Sequence, residues 1–431
     1  MNTASGGGLI MGTFKHFYHR NYDDRMKLIS EFAGLDTNQK HEMTSDYHQS
    51  SDSLVENYVT DYSIPEGVAV NFMINGTEKI VPMVTEEPSV IAAASNGARL
   101  FAKGTGITAE VLGRNLMGQI VVKTHDINLL IGIVNTHQEH IIDIANQSHP
   151  SILEYGGGAK KVRVRKLDDD YASVDLFVNV GEAMGANIIN SMLEATSEFI
   201  EEHVSGDVLM SILSNYGEDN LVKVSGSIPV SQLGNPDTNG SDVAQRIVEA
   251  SHIAQIDPYR AATHNKGIMN GIDAVVMAMG NDWRAVEAGI HSYASKDGQY
   301  KGLSNWSVEG DKLVGEMTIP LSLGFIGGAV KVLPKVKINQ QLSQVTSKEE
   351  LSQIVASVGL AQNLAALKAL VTDGIQKGHM NLQLNSLVMS AGAKGEEIKQ
   401  VVSEMRANHL NDLKSAQKIL NQIRNNNEGE F

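Results

Sequence analysis

The 431 residues contain no cysteine, which removes disulfides, thiolate metal ligands and cysteine nucleophiles and suits a reducing compartment such as the cytoplasm. Basic residues are in deficit, with 35 Lys and Arg against 50 Asp and Glu and a formal charge of -15. A general nucleic-acid binder needs a net basic face, so that class is excluded, although local basic pockets are not. No apolar run approaches the roughly 20 residues of a membrane-crossing helix. The stretch from Ile319 to Leu333 is short, glycine-broken and interrupted by Pro320 and Lys331. The chain therefore reads as soluble, with neither a membrane nor a nucleic acid as partner. The opening MNTASGGGLIMG lacks the basic and apolar regions of a secretory signal and reads as a flexible lead-in. No GxGxxG follows a strand, and no histidines have a metal-ligand spacing such as HExxH, so neither a Rossmann site nor a metal is expected.

What is present can build cores: 42% of the residues are apolar, and the length suits two or three domains. Residues 10 to 60 are polar, with Met26, Ile29, Phe32 and Leu35 in helical spacing, which predicts one or two short surface helices. From Gly67 to Val84 the pattern is β-like. Glu86-Glu87-Pro88-Ser89 then opens an alanine-rich helix, with Pro and Ser where helix N-termini favour them.

The segment 112–216 has its own logic. Gln119 to Lys123 reads as a strand, and Ile127 to Ala145 as one helix with Leu130, Ile133, Val134, Ile141 and Ile144 on a face. After Gly156-Gly157-Gly158 come two half-buried strands joined by Asp168-Asp169-Asp170, the second alternating Val174, Leu176, Val178 and Val180 with Asp175, Phe177 and Asn179. A helix from Glu182 to His203 and a strand from Val208 to Leu213 complete β-α-β-β-α-β, the ferredoxin-like order. Beyond it, strands (Val222 to Ile228, Lys312 to Ile319) and helices (Ser241 to Ala254, Leu351 to Val371) predict a larger mixed α/β domain continuous with the first segment. The expected fold is α+β: a large domain (1–111 with 217–377), an inserted ferredoxin-like domain (112–216), and a small helical C-terminal unit (378–431) whose apolar positions from Ile398 onwards follow the hinge-like Ala391-Gly392-Ala393-Lys394-Gly395.

Four groups of residues could carry chemistry. Glu87 is either an acid favoured by a helix dipole or a general acid with a carboxyl raised by burial. In YRAATHNKGIMNGIDAVVMAMGNDWRAVEAG, residues 259–289, Arg260, His264, Lys266, Asn270, Asp282 and Arg284 crowd an apolar tract. A lysine there is costly to bury unless paired, so Lys266 near Asp282 is either a structural ion pair or an electrophile over a developing oxyanion. His379 is either structural or a proton donor delivered by a closing lid. The glycine-rich EAMGAN (182–187) and GFIGGAV (324–330) either pack tightly or turn backbone N–H groups towards phosphates.

Taken jointly and in order, EEPSVIAAAS (86–95), GEAMGANIINSMLEA (181–195), DVLMSILSN (207–215), DPYRAATHNKGIMNGIDAVV (257–276), GNDWRAVEAG (280–289), GFIGGA (324–329), VGLAQN (358–363) and GIQKGHMNLQ (374–383) resemble the class II 3-hydroxy-3-methylglutaryl-CoA (HMG-CoA) reductases. The resemblance runs from about residue 55 onwards. It implies a four-electron reduction of HMG-CoA to mevalonate and CoA in two hydride transfers, through a CoA hemithioacetal and mevaldehyde. By position Glu87, Lys266, Asp282 and His379 match the catalytic residues. Lys266 would stabilise the developing oxygen charge, Glu87 would protonate that oxygen, Asp282 would bridge the two, and His379 would protonate the departing CoA thiolate. Arg260 matches the residue that pairs with the free HMG carboxylate, and Ser89, Asn215, Asn270 and Gln362 match other substrate contacts.

For the cofactor, Glu182, Ala183, Met184, Gly185, Ala186, Asn187, Gly324, Gly327 and Gly328 match nucleotide-binding positions. Relatives that prefer NADH carry an acid where this chain has His149, so the resemblance favours NADPH, with NADH as the alternative and no metal. Glu182 and Val330 depart from the family's usual Asp and Thr, and the N-terminal arginine that contacts CoA in some relatives has no clear match, Tyr18 and Arg20 being its neighbours. A homodimer with active sites between subunits is implied, with room for a higher oligomer. Rival readings are the same enzyme run as an NAD-dependent mevalonate oxidase, a CoA-thioester-binding homologue without turnover, and an anionic-ligand regulator. The first rival turns on cellular pools. The second leaves Glu87 and Lys266 no reason to be buried together.

Overall fold

The computed structural model describes residues 12–428 apart from 205, 235–237, 373, 375–383 and 386. Residues up to Ile64 form one compact unit and Pro65 onwards a second. In the first, helices α1 (Tyr22–Ala33), α2 (Thr37–Ser45) and α3 (Gln49–Leu54) succeed one another, one more than periodicity predicts. Asn21 and Asp36 cap the first two by accepting N–H bonds from Asp24 and Gln39. Phe32 is exposed despite its place in the apolar pattern, while Met26 and Arg25 are buried, Arg25 through its ion pair with Asp52.

The second unit holds three hydrophobic cores. The largest is built on the hairpin β1 (Glu66–Ile74) and β2 (Thr77–Val84), helix α4 (Val90–Ala102) and a sheet that includes β3 (Thr108–Val111). The second core belongs to β4 (Asn115–Lys123), α5 (Ile127–Thr136), α6 (Gln138–Ser148), β5 (Gly158–Lys166), β6 (Tyr171–Asn179), α7 (Ala186–His203) and β7 (Asp207–Ser214). Its sheet order is β5-β6-β4-β7 with every neighbouring pair antiparallel, the ferredoxin-like arrangement the element order predicts. The helix expected from Ile127 to Ala145 is two, broken at His137, and α7 begins at Ala186 because residues 182–185 form a turn.

The prediction of half-buried strands fails for β6. Val174, Leu176 and Val178 face the helices, but Asp175 and Phe177 are buried too. Arg163 and Arg165 of β5 cover that second face: Arg163 Nε donates to Asp175 at 3.0 Å, Arg165 Nη2 at 2.9 Å, and Ser173 Oγ at 2.6 Å. Arg163 also lies over the Phe177 ring, 5.0 Å from its centre. A carboxylate can be fully buried only when its lone pairs are met in this way, and cross-strand arginines meet them where strand alternation alone shows a polar face.

The chain then returns to the large core through β8 (Leu221–Pro229), α8 (Gly240–Ile256), α9 (Pro258–Ala278), α10 (Trp283–Tyr293), β9 (Ser304–Glu309), β10 (Lys312–Pro320), α11 (Gly328–Val332), α12 (Pro334–Leu342) and α13 (Lys348–Val371). The large sheet runs β3-β8-β10-β9, all antiparallel. Helix α13 is apolar nearly all round, as a helix enclosed by others must be. By length and composition it is the one helix among the described residues able to cross a membrane, contrary to the expectation that no such run exists, and it is mostly buried inside the protein. Its fit is close: a Cβ on Gly97 of α4 would lie 2.0 Å from the Ala361 carbonyl oxygen, so only glycine allows these helices to touch. The third core joins α14 (Glu396–Ala407) and α15 (Leu413–Glu428) through Val401, Val402, Met405, Ala416 and Leu420.

Candidate active site

Helix α9 starts with Pro258 at its first turn and Asp257 accepting the Tyr259 and Arg260 N–H groups. From there Arg260, Thr263, Gly267 and Asn270 recur at three- and four-residue spacing and share one face. Gln362, Ala366, Ala369 and Leu370 do the same on α13. These two faces, with Glu87 and Ser89 ahead of α4, line a cavity of about 400 Å³. Glu87, Ser89, Arg260, Lys266, Asn270 and Gln362, six of the expected site residues, therefore meet at one place.

Lys266 Nζ donates to Glu87 Oε2 at 2.8 Å. The pair is not buried as expected: the side chains are 61% and 38% exposed at the cavity's rim. Deeper in, Arg260 is partly buried, burial lowers its pKa, and among the described residues no carboxylate pairs with it. Burial, helped by the Arg260 charge, drives His264 down to about 4, so the imidazole is neutral and adds no second cation. Its Nε2 lies 2.8 Å from Ser304 Oγ and 3.1 Å from Asn363 Nδ2, while Asn363 Oδ1 accepts from Ser304 and from Trp306 Nε1. This buried network, of which His264 and Asn363 line the cavity, was not legible in sequence, since its members are up to 99 residues apart. Gln362 is 4% exposed, and its Oε1 has no hydrogen-bond partner among the described residues. Ser89 precedes α4 as expected but with φ of +81°, and its hydroxyl does not cap the helix. A left-handed serine costs about 1–3 kcal/mol and is found where a site holds a side chain against its preference.

Asp282 is elsewhere. It caps α10, accepting N–H bonds from Arg284 and Ala285 and pairing with the Arg284 guanidinium at 3.1 Å. Burial alone would raise this carboxyl, but those hydrogen bonds outweigh it and hold it below the ordinary range. Because Asn281 N–H bonds to Val276 O at 3.0 Å, Asp282 sits at the far end of α9, about 15 Å of helix rise from Lys266. The expected Lys266–Asp282 proximity does not occur within one chain. Asn215 also lies apart, its carbonyl packed against Gly289 of α10.

The glycine-rich segments form a second group. Ala183 bridges to Ile326 in parallel, and Glu182 O accepts from Phe325 N at 2.8 Å. Asn281 clasps Gly324 from both sides, Oδ1 accepting its N–H at 2.6 Å and Nδ2 donating to its O at 3.0 Å. A Cβ on Gly324 would stand 2.7 Å from the Met184 N, so this contact requires glycine. Gly185, at φ of +91°, caps α7 without a side chain, leaving the turn ahead of Ala186 and Asn187 open to an anion. Gly327 and Gly328 both have positive φ and no atom near where a Cβ would be. The loop holding His149 is joined to the same edge of the sheet: Asn146 accepts the Ala159 N–H, and Gly157 packs against Asn179 O. The backbone donors that this group leaves for an anion are the first N–H groups of α7, since the Gly324 N–H goes to Asn281 and those of Phe325 and Ile326 to the Glu182 carbonyl. The Glu182 carboxylate is not among those donors and instead accepts the Lys348 N–H at 2.6 Å. His379 lies outside the described residues, and among those described no group of metal-ligating side chains occurs.

The two groups occupy opposite parts of α13, Lys348 at the glycine-rich group and Gln362 at the cavity, separated by 14 residues or about 21 Å of rise. The family model described as hydroxymethylglutaryl-coenzyme A reductase matches residues 21–384. The Archaeoglobus fulgidus 3-hydroxy-3-methylglutaryl-coenzyme A reductase is 40% identical over 95% of this chain and 94% of its own length, and the probable enzyme of Borreliella burgdorferi is 32% identical over 98% of each. Among solved structures, the Streptococcus pneumoniae enzyme superposes with a TM-score of 0.75 at 41% identity, covering 95% of this chain and 99% of that one. Its class II form bound to NADPH in open conformations gives 0.74 at 42%, covering 83% and 100%. On fold, motifs and length alike, the chain belongs to the class II hydroxymethylglutaryl-coenzyme A reductases.

Proposed function

We propose that the protein reduces HMG-CoA to mevalonate and CoA with NADPH, on the pathway to isoprenoids in the cytoplasm. The observation that carries this is the cavity in which Arg260, free of any acidic partner among the described residues, lies near the Lys266–Glu87 pair. A guanidinium suits the free carboxylate of an HMG group, which it can grip through two parallel bonds. Lys266 then stands where negative charge develops on the thioester oxygen, and such a preorganised donor is worth a few kcal/mol. Glu87, bonded to that ammonium, is placed to pass a proton to the oxygen. Ser89, Asn270 and Gln362 orient the substrate, and His379 protonates the CoA thiolate. When bound at the glycine-rich group, the reduced nicotinamide supplies hydride. His149, where an acid would bind a ribose hydroxyl, supports NADPH over NADH.

Hydride transfer requires the reacting atoms within about 3–3.5 Å, whereas the two groups are about 21 Å apart along α13. A second copy resolves this: in a homodimer, Asp282, Asn215 and the nucleotide segments of one subunit complete the cavity of the other. On this reading residues 1–111 with 217–377 form the CoA and substrate domain, 112–216 the nucleotide domain and 378–431 a closing flap.

The first experiment follows absorbance of the reduced nicotinamide, with NADPH and NADH in separate cuvettes. HMG-CoA-dependent oxidation, faster with NADPH, is expected; none with either cofactor in folded protein would favour a non-catalytic CoA-thioester binder. Mixing two inactive variants, Lys266→Ala and Asp282→Ala, tests the shared site. Random reassortment restores about a quarter of wild-type activity if each site draws on both subunits, and none if each site is built from one.

A further inference from the structure

Lys348 is 4% exposed, and none of the chemistry above uses it. Lysine is almost never this buried without a partner. Its Nζ donates to the Ala183 carbonyl at 3.2 Å, while its backbone N–H donates to the Glu182 carboxylate at 2.6 Å. One residue at the start of α13 thus grips two successive residues of the turn that leads into α7. Burial lowers its ammonium to about 8, Glu182 working against that fall and Arg114 adding to it. Arg114 is itself held by Glu349, the next residue of α13, at 3.0 Å.

An apolar side chain could fill this place without the cost of desolvating a charge, so the ammonium points to a geometric duty. What it holds is specific. The Glu182 carbonyl accepts from Phe325 N and Ile326 N, Ala183 bridges Ile326, and Met184 packs on Gly324. The next residue, Gly185, opens α7 without a side-chain cap. The 182–185 turn therefore has two sides, one facing the 324–326 segment and one pinned by Lys348.

We propose that Lys348 is a positioning residue for the nicotinamide nucleotide: by fixing the Ala183 carbonyl it sets the turn so that the first N–H groups of α7 face a phosphate of the nucleotide. It touches no reacting atom. The inference rests on the assignment of 182–187 to the nucleotide made above.

The test uses Lys348→Met and Lys348→Arg in the full-length protein, with NADPH binding followed by its fluorescence, steady-state kinetics for both substrates, and thermal melting. Lys348→Met should raise Kd and KM for NADPH about tenfold or more, the effect of losing one hydrogen bond from a charged group. The KM for HMG-CoA and kcat at saturating NADPH should stay within about threefold, and Lys348→Arg should recover most of the NADPH affinity. If Lys348→Met does not fold, Lys348→Ala, which removes the donor without adding bulk, carries the same comparison. Unchanged NADPH affinity in a folded variant overturns the proposal. So does a parallel rise in both KM values that arginine does not reverse, since that is the signature of a helix end serving stability alone. Wild-type protein that neither binds nor oxidises NADPH would remove the nucleotide assignment itself, a result distinct from equal binding by wild type and variant.

Discussion

The two parts of α13 treat polar groups in opposite ways. At its start, Lys348, Glu182, Ala183, Asn281 and Gly324 satisfy one another, and every close approach has a partner. Beyond its middle, Arg260 has no acidic partner and Gln362 Oε1 no hydrogen bond among the described residues, while Lys266 meets Glu87 at an open rim. Buried polar groups left unpaired cost stability. Such groups persist where a ligand completes them, and saturated ones persist where a frame must not move. The first region therefore reads as a rigid frame that holds backbone groups in place, and the second as a surface whose side chains await a ligand.

The strongest challenge to this contrast is Lys266→Ala. Because the ammonium is exposed and singly paired, its loss should leave the melting temperature near wild type while turnover falls about 100- to 1,000-fold, the usual effect of deleting one oxyanion donor. A variant that unfolds, or one that turns over normally, would return Lys266 to the scaffold. Arg260→Lys asks a finer question. It keeps the charge but not the fork, so the KM for HMG-CoA should rise about 10- to 100-fold with little change in stability. A change confined to the nicotinamide cofactor would place Arg260 in the wrong region.

The joint between the regions can be probed through Asp273 of α9, whose carboxyl is pushed up to about 8 by burial and by the hydrogen-bonded Glu287 carboxylate of α10. Glu287 is in turn lowered, first by its bond to His291. A carboxyl with a raised folded pKa contributes stability that is complete below the unfolded value of about 4 and is lost as pH rises through the folded one. The wild-type melting temperature should thus fall as the pH rises from about 4 to about 8, by an amount equivalent to at most about 1.4 kcal/mol per pH unit. Asp273→Asn should flatten the curve while holding α9 to α10. An unchanged slope in the variant would show that this pair does not join the helices.

How much was legible follows from the range of each interaction. The ferredoxin-like order, the β character of 67–84, α4 and the helical character of the C-terminal unit rest on periodicities within a dozen residues. Glu87, Ser89, Arg260, Lys266, Asn270 and Gln362 were found because their motifs keep order along the chain, and α9 and α13 then bring them to one cavity. The break at His137, the burial of β6 and the satisfaction of Asp175 were not legible, because neighbouring strands and helices decide them. Nor was the exposure of the Lys266–Glu87 pair, which depends on how far α4 stands from α9.

By itself the sequence determined the class of the molecule: composition and absent cysteines excluded whole chemistries, local patterns set the elements, and ordered motifs named the family. Only the tertiary structure decided that Asp282 stands at the far end of α9 from Lys266, that Glu182 serves α13, and that Lys348 grips the 182–185 turn. The physical reason is that charge pairing and burial are set by distances across the fold, and Glu182 and Lys348, 166 residues apart in the chain, become neighbours only when α13 packs against the turn.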